Sequence, residues 1–281
     1  MSTAPKAFVV GHPIKHSRSP LIHGYWLREH GLEGSYERVD VAPADFTSFL
    51  RGFQGEGFRG GNVTIPHKQA AFQHADALTG RAKRLQAVNT LWIEDGRIHG
   101  DNTDELGFIA SLDQALGSDW DQTARTALVL GAGGAALAVI AGLLDRGVKH
   151  VGVANRTLER AQELTAFDPR RIEAAAWDKL TQTVPEADLI VNTTSLGMDG
   201  QPPLILDLIG LPDHAVVADI VYVPLETPLL AAARGRGLRT VDGLGMLLHQ
   251  AVPGFARWFG VMPEVTPALR AVIVADIERR A

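Results

Sequence analysis

Three features of this sequence have residue types and spacing that could carry chemistry. Lys68 ends the segment "GNVTIPHK", and Asp104 lies in "GDNTDELG". A lysine and a carboxylate can together move a proton to or from a substrate oxygen. The third feature is "GAGGAA" at 131–136, directly after the apolar run "TALVL". Glycines at such a turn let the backbone approach a phosphate group closely.

The glycine turn predicts a dinucleotide site. Gly131, Gly133 and Ala136 match the pattern GxGxxG/A between a predicted strand and a predicted helix. The first glycine allows the tight turn, the second admits a pyrophosphate, and the small third residue lets helix and strand pack closely. The alternative is a glycine-rich turn that binds nothing.

The segment "NRTLER" at 155–160 selects the cofactor, because the next strand should end there. NAD-binding chains place an acidic residue near this point to hold the ribose 2′-hydroxyl. Here Arg156 and Arg160 occupy the segment, and arginine can pair with a phosphate and stack on adenine. NADP is therefore the predicted cofactor. The alternative is that both arginines belong to the solvated start of a helix.

Hydride transfer from a nicotinamide requires a group that exchanges a proton with the substrate oxygen. Lys68 is the leading candidate, and Asp104 could orient it. An ordinary solvated lysine and a helix-capping aspartate are the alternatives. His12 and His16 could share a helix face, but Pro13 argues against that helix and no HExxH motif follows. No metal site is predicted.

The composition argues against several classes of protein. The chain has 281 residues, 46% hydrophobic and 21% charged, which suits one large or two modest globular domains. Without cysteine it has no disulfide framework and no thiolate nucleophile. A net charge of −5, with no basic block among aromatic residues, argues against nucleic acid as a partner. The N-terminus does not resemble a signal peptide and no apolar run approaches the roughly 18 residues of a membrane span, so a soluble, cytoplasmic protein is predicted.

Apolar runs of β type alternate with helical patterns along the chain, which predicts an α/β fold with mostly parallel sheet. Strands are predicted at 7–11, 36–41, 60–66, 126–130, 151–155, 188–194 and 215–222. Helices are predicted at 20–30, 43–53, from Asp104 to Leu116, after the glycine turn, within 227–237 and twice beyond residue 243. The segment "EDG" at 94–96 predicts a hairpin turn.

The segment "GHPIKHSRSP" at 11–20 predicts a helix N-terminus near its end. Ser19 would be the N-cap and Pro20 the first helical residue. Replacing a capping serine by alanine costs about 1 kcal/mol of stability. This interpretation leaves Lys15, His16 and Arg18 without a role.

Nine segments together resemble the shikimate/quinate dehydrogenase family. In order they are "GHPIKHSRSP", "GNVTIPHK", "AVNT", "GDNTDELG", "GAGGAA", "NRT", "NTTSLGM", "DIVYVPLETPLL" and "DGLGMLLHQA", which span nearly the whole chain. The resemblance implies an N-terminal α/β substrate-binding domain, at 1–106 and 243–281. It also implies a doubly wound, Rossmann-type NADP-binding domain at 107–242, with a cleft between the two. The implied reaction is the reversible, NADP-dependent reduction of 3-dehydroshikimate to shikimate in aromatic amino acid biosynthesis.

The resemblance further implies a role for each matching residue. Lys68 would exchange the proton and pair with Asp104. The substrate carboxylate would be held by Ser17, Ser19 and Tyr222, and the ring hydroxyls by Thr64, Asn89, Asp104 and Gln250. The pyrophosphate would lie on Gly131, Ala132, Gly133, Gly134 and Ala135, and the 2′-phosphate on Asn155, Arg156, Thr157 and Arg160. Along the nicotinamide would lie Ile220, Gly243 and Met246.

Two alternatives to this function stay open. One is a quinate/shikimate dehydrogenase that uses NAD, although Arg156 in "NRT" favours NADP. The other is a catalytically silent, NADP-binding regulator, which should have lost polar residues such as Lys68 or Asn89. A homodimer is compatible with the resemblance. The chain departs from common family residues at Gly24 and Gly80, which puts a cofactor contact at position 80 in doubt.

Overall fold

The computed structural model describes residues 4–280. The backbone divides into two compact units, the first holding the chain up to Thr103 together with Gln250–Arg280, the second holding Asp104–His249. These limits differ from the predicted ones at 106 and 243. Helix 243–249 packs on helix 104–116 within the second unit, where a side chain at Gly245 would collide with Ser111. Both helices therefore belong to the second unit.

The first unit contains a six-stranded sheet and six α-helices among its described residues. Its strands are β1 Lys6–Gly11, β2 Ser35–Asp40, β3 Phe58–Val63, β4 Ala77–Leu78, β5 Thr90–Glu94 and β6 Arg97–Asp101. Its helices are α1 Ser19–Glu29, α2 Phe46–Gly52, α3 Lys68–His74, α4 Gly80–Leu85, α11 Val252–Phe259 and α12 Pro267–Arg280. The strand order is β2-β1-β3-β5-β6-β4. Three neighbouring pairs are parallel and two, β3 with β5 and β5 with β6, are antiparallel, so this sheet is mixed.

The predicted hairpin is confirmed between β5 and β6. Asp95 and Gly96 both have positive φ, 50° and 70°, which is the conformation that a two-residue type I′ turn requires. The hairpin brings Thr90 opposite Asp101. The segment "AVNT" and the segment "GDNTD" are thereby placed side by side at one end of the sheet.

The start of α1 differs from the prediction. The N-cap residue is Arg18, whose carbonyl accepts from the N–H groups of Leu21 and Ile22 at 3.0 and 3.2 Å, and no side chain caps the helix. The Ser19 N–H instead donates to Ser17 Oγ at 3.3 Å. The predicted serine cap is therefore wrong, because the turn before the helix puts Ser19 inside the first turn.

A turn across Pro66 separates β3 from α3. The His67 N–H donates to the Thr64 carbonyl at 2.9 Å, which closes a turn across Pro66. Strand β3 ends at Val63 rather than at residue 66 for the same reason. Lys68 is the first helical residue.

The second unit has a six-stranded parallel sheet. Its strands are β7 Thr126–Leu130, β8 His150–Asn155, β9 Ile172–Ala176, β10 Leu189–Asn192, β11 Val216–Asp219 and β12 Arg239–Val241. Its helices are α5 Asp104–Leu116, α6 Ala136–Asp145, α7 Leu158–Thr165, α8 Leu180–Thr183, α9 Pro228–Gly235 and α10 Gly243–His249. The strand order β12-β11-β10-β7-β8-β9 is the doubly wound order 3-2-1-4-5-6 counted from β7. The predicted Rossmann-type architecture is confirmed.

Alternate residues of a strand point to opposite faces of the sheet. In this sheet both faces are buried. On β7, Ala127 and Val129 pack in a cluster with Val139 of α6, whereas Leu128 and Leu130 pack in a second cluster with α9. Strands covered on both faces read as continuous apolar runs, as "TALVL" does. Among residues 4–280, no helix combines the length and apolar character needed to cross a bilayer.

Candidate active site

The two residues of the first unit that are predicted to bind the substrate carboxylate, Ser17 and Ser19, lie at the start of α1 and in the turn before it. Ser17 Oγ is 3.3 Å from Ser19 Oγ. Arg38 of β2 donates from Nε and Nη2 to the Ser17 carbonyl, at 3.0 and 2.6 Å. The Ser17 N–H donates to the Ile14 carbonyl at 3.0 Å. The backbone that carries these two hydroxyls is therefore held from both sides.

Arg18, which the sequence left without a role, supports the same turn. Its Nε lies 3.2 Å from Asp276 Oδ2 of α12, and both side chains are 10% exposed. Removing one partner of a buried ion pair leaves an uncompensated charge, which is strongly destabilising. Arg18 thus ties the turn to the C-terminal helix. Lys15 and His16, in contrast, are exposed.

Hydrogen bonds fix the orientation of the Asn89 side chain, one of the predicted substrate residues of the first unit. It is 2% exposed, and its Oδ1 accepts from the Thr103 N–H and from Thr90 Oγ1, both at 2.8 Å. These donors fix which end of the carboxamide is the oxygen. The Nδ2 group of Asn89 is therefore the end that offers donors to a ligand.

Three further predicted substrate residues of this unit are anchored through their backbones. Lys68 is half-buried, and its carbonyl accepts from the Val88 N–H at 3.0 Å, directly before Asn89. The Thr64 N–H donates to the Val10 carbonyl at 2.9 Å. The Gln250 carbonyl accepts from Thr103 Oγ1 at 2.8 Å. Thr103 thus joins Asn89 and Gln250, which are far apart in sequence.

Sequence reasoning missed the residues behind this arrangement. Asn62, Thr90 and Thr103 are buried and stand inside the segments "GNVTIPHK", "AVNT" and "GDNTDELG". The signal was present, because each is a polar residue in a segment that also carries a predicted substrate residue. Tyr36 gave no such signal. It stands in the predicted strand "YERVDV" and donates to Asn62 Oδ1 at 2.6 Å.

The other two predicted substrate residues, Asp104 and Tyr222, belong to the second unit. Asp104 is the first residue of α5 and is 6% exposed. Tyr222 is half-buried and follows β11. The structure therefore divides the predicted substrate residues between the two units.

Asp219, at the end of β11, ties together the loops near Tyr222. It accepts from Asn192 Nδ2 at 2.9 Å, from the Val221 N–H at 2.9 Å and from Thr227 Oγ1 at 2.8 Å. Burial raises the pKa of Asp219 to about 6, and these three hydrogen bonds partly oppose that rise. This carboxylate is missing from the predicted set, although it begins the segment "DIVYVPLETPLL".

The glycine turn has the geometry that a dinucleotide requires. Gly131 has a φ of 107°, and a Cβ there would lie 2.8 Å from Thr193 Oγ1, so glycine is needed for both reasons. At Gly133 and Gly134 a Cβ would meet nothing within 4 Å. Ala132 and Ala135 are half-buried, and α6 begins immediately afterwards at a fully buried Ala136. The turn offers an open backbone surface at a helix N-terminus, which suits a pyrophosphate.

The predicted 2′-phosphate residues follow β8. Asn155 Nδ2 donates to the Thr157 carbonyl at 2.8 Å, which closes the turn before α7. Arg156, Thr157 and Arg160 are exposed. Exposed guanidinium groups at this point can pair with a phosphate.

The predicted nicotinamide residues meet at the end of β11. A side chain at Gly243 would collide with the carbonyl of Ile220, so these two backbones are in close contact. Ile220 packs against the same apolar cluster that contains Met246, which is 9% exposed. Ala132 of the glycine turn packs against this cluster as well. Ile220, Met246 and Ala132 thus pack in one apolar cluster of the second unit.

The residues of the second unit fit NADP. Its open glycine turn suits the pyrophosphate, its exposed arginines suit the 2′-phosphate, and its apolar cluster suits the nicotinamide. Within residues 4–280, no three histidine, aspartate or glutamate side chains come together as a metal site.

Comparison with known proteins agrees with this geometry. Three family models match the chain: the shikimate dehydrogenase substrate binding domain at 9–91, shikimate / quinate 5-dehydrogenase at 114–198, and the shikimate 5′-dehydrogenase C-terminal domain at 243–273. A curated relative from Methylobacterium radiotolerans, named shikimate dehydrogenase (NADP(+)), is 65% identical over 280 residues, covering 99% of each chain. The chain belongs to the shikimate/quinate dehydrogenase family.

Solved structures of this family have the same fold. The shikimate 5-dehydrogenase from Thermus thermophilus, in complex with NADP(H) and shikimate, is 35% identical with a TM-score of 0.83, covering 99% of this chain and 100% of that one. The quinate dehydrogenase from Corynebacterium glutamicum, in complex with NAD, is 32% identical with a TM-score of 0.88, covering 97% and 99%. The shikimate/quinate dehydrogenase family therefore includes similar structures with either cofactor.

Proposed function

We propose that this chain is an NADP-dependent shikimate dehydrogenase, an oxidoreductase that interconverts 3-dehydroshikimate and shikimate in aromatic amino acid biosynthesis. The observation that carries the proposal is the 65% identity, across 99% of both chains, with a relative named shikimate dehydrogenase (NADP(+)). The polar residues of the implied substrate site are all present in this chain. That argues against a silent regulator.

Lys68 is the proposed proton donor and acceptor. When bound, NADPH supplies a hydride to the carbonyl carbon of 3-dehydroshikimate. The carbonyl π electrons move to the oxygen, which takes a proton from the Lys68 ammonium. In the oxidation direction the neutral Lys68 amine takes the proton of the substrate hydroxyl. Asp104 is proposed to orient the lysine.

The remaining side chains of the proposed substrate site bind and orient the ring. Ser17, Ser19 and Tyr222 would hold the carboxylate, and Thr64, Asn89, Asp104 and Gln250 the hydroxyl groups. The fixed carboxamide of Asn89 supports this role, because two donors hold its oxygen and leave Nδ2 as the donor end of the side chain. A site that is ordered before binding loses less entropy when the substrate arrives.

The second unit is proposed to bind NADP, and the first unit most of the substrate. The glycine turn would hold the pyrophosphate, Asn155, Arg156, Thr157 and Arg160 the 2′-phosphate, and Ile220, Gly243 and Met246 the nicotinamide. The cytoplasmic location and the homodimer stay predictions.

The test is a comparison of two substrates and two cofactors. Reduction of NADP⁺ and of NAD⁺ is followed at equal concentrations, first with shikimate and then with quinate. We expect a higher kcat/KM for shikimate than for quinate, and for NADP⁺ than for NAD⁺. A preference for quinate with NAD⁺ would identify a quinate dehydrogenase instead. Binding of NADP⁺ without turnover of either substrate would identify a regulator.

A further inference from the structure

Tyr36 is a buried tyrosine on a strand whose next two residues are exposed. It is 8% exposed, whereas Glu37 and Arg38 face solvent. Its ring is stacked on that of His23, with the centroids 3.9 Å apart and the planes at 12°. Burial lowers the pKa of His23 to about 3, so this imidazole is neutral near pH 7. A phenol hydroxyl in such surroundings needs a polar partner.

The hydroxyl of Tyr36 acts as a donor. It donates to Asn62 Oδ1 at 2.6 Å. Burial raises the pKa of Tyr36 well above its ordinary value, so the hydroxyl keeps its proton.

Asn62 continues the same donor-to-acceptor direction towards β5. With its Oδ1 accepting from Tyr36, its Nδ2 donates to the Asn89 carbonyl at 3.1 Å and to Thr90 Oγ1 at 3.4 Å. Asn62 and Thr90 are directly paired across β3 and β5. The orientation of this carboxamide is therefore fixed by a donor on one side and two acceptors on the other.

Thr90 completes the chain of hydrogen bonds. Its oxygen accepts from Asn62, and its one proton goes to Asn89 Oδ1 at 2.8 Å. Donors and acceptors thus run in one direction, from Tyr36 through Asn62 and Thr90 to Asn89. At the far end the Asn89 oxygen is turned inward, so the Nδ2 group is the end of the side chain that can donate to a ligand.

We propose that Tyr36 is a positioning residue for substrate binding, which supports Asn62 and, through the Asn89 carbonyl and Thr90, helps to hold Asn89 in place. The proposal rests on the proposed function, since it assumes that Asn89 donates to a substrate oxygen. Without the Tyr36 proton, Asn62 Oδ1 is buried without that donor, and the bonds from Asn62 Nδ2 to the Asn89 carbonyl and to Thr90 lose part of their support. Asn89 keeps the Thr103 N–H at its oxygen but is held less firmly from the side of Asn62 and Thr90.

Tyr36→Phe tests this with a change of one oxygen atom. We expect the KM for shikimate to rise about tenfold, as for a lost hydrogen bond worth one factor of ten in binding. The KM for NADP⁺ should not change, because its predicted residues lie in the second unit. Tyr25→Phe is the matched control, since the Tyr25 hydroxyl contacts Glu29 at an exposed position of α1. It should leave both KM values unchanged.

Thr90→Val and Thr90→Ser provide a second test along the same chain. The valine variant removes the hydroxyl and should raise the KM for shikimate, whereas the serine variant keeps it and should restore the wild-type KM. A purely structural role would lower the thermal midpoint and the active fraction, and would leave the KM for shikimate unchanged. That result in Tyr36→Phe, or in Thr90→Val where the tyrosine variant does not fold, overturns the proposal. Failure of the wild-type protein to oxidise shikimate overturns the proposed function instead.

Discussion

Asn89 and Gly133 show how differently the predicted substrate residues of the first unit and the predicted cofactor residues of the second unit are built. Asn89 is 2% exposed, and its side-chain oxygen has two donors at 2.8 Å. Gly133 is exposed, and a Cβ there would meet nothing within 4 Å. One region presents a side chain in a fixed orientation. The other presents backbone and long, solvated side chains.

This difference follows from what each ligand offers. A small ring with several hydroxyl groups must be recognised through directional hydrogen bonds, which need side chains of fixed orientation. A dinucleotide brings its own phosphate charges, which a helix N-terminus and mobile arginines can bind without close geometric matching. Substitutions of the predicted substrate residues should therefore disturb the geometry of hydrogen bonds to the substrate. Substitutions of the predicted cofactor residues should change the charge that binds the phosphates.

Among these variants, Lys68→Ala should give the largest loss of catalytic activity. We expect kcat to fall by about 10²–10⁴-fold, the usual result of losing a general acid or base. The Kd for NADP⁺ should not change, because the lysine is outside the unit that carries the cofactor residues. Steady-state kinetics and fluorescence titration measure the two quantities.

Lys83→Ala is the control for that variant. It removes the same side chain from an exposed position of α4 in the same unit, so kcat should stay at the wild-type value. If Lys68→Ala retained wild-type turnover, the proton would come from elsewhere. The first unit would then bind substrate without taking part in the chemical step.

An intermediate effect is expected for Arg156→Ala in the second unit. Losing one hydrogen bond to a charged group, about 1.5–3 kcal/mol, should raise the KM for NADP⁺ by about tenfold or more. The KM for NAD⁺ should hardly change, because NAD⁺ has no 2′-phosphate. Arg170→Ala removes an exposed arginine of the same unit and should affect neither. An equal rise in KM for both cofactors would mean that Arg156 stabilises the turn rather than binding the 2′-phosphate.

Much of the second unit could be predicted from the sequence, because its elements are marked by local signals. The helix from Asp104 to Leu116 begins and ends as predicted, and β7 is the apolar run "TALVL". Strand β9 escaped prediction because "IEAAA" is rich in alanine, which has weak β propensity. The glycine turn is recognisable because tight backbone geometry restricts the residue type directly.

The substrate residues of the first unit were recognisable by family resemblance, and Asn62 and Thr90 stand in the same segments, but nothing in the sequence showed which residues meet Tyr36. Tyr36, Asn62 and Thr90 meet because three strands lie in a particular order and register. Their positions along the chain contain no local sign of that register. The same limit applies to the start of α1, where Arg38 from another strand holds the Ser17 carbonyl and shifts the cap by one residue.

The smallest predicted effect is a difference in stability between variants of the two serines, Ser17 and Ser19. A serine cap at Ser19 would make Ser19→Ala the more destabilising variant. In the structure the Ser19 N–H depends on Ser17 Oγ at 3.3 Å, so Ser17→Ala should lower the free energy of unfolding by about 1 kcal/mol. Ser19→Ala should cost less, because its side chain does not cap α1. Urea denaturation of both variants, each at full reversibility, measures the difference. A larger loss in Ser19→Ala would restore the serine cap and show that the turn in solution differs from the one described.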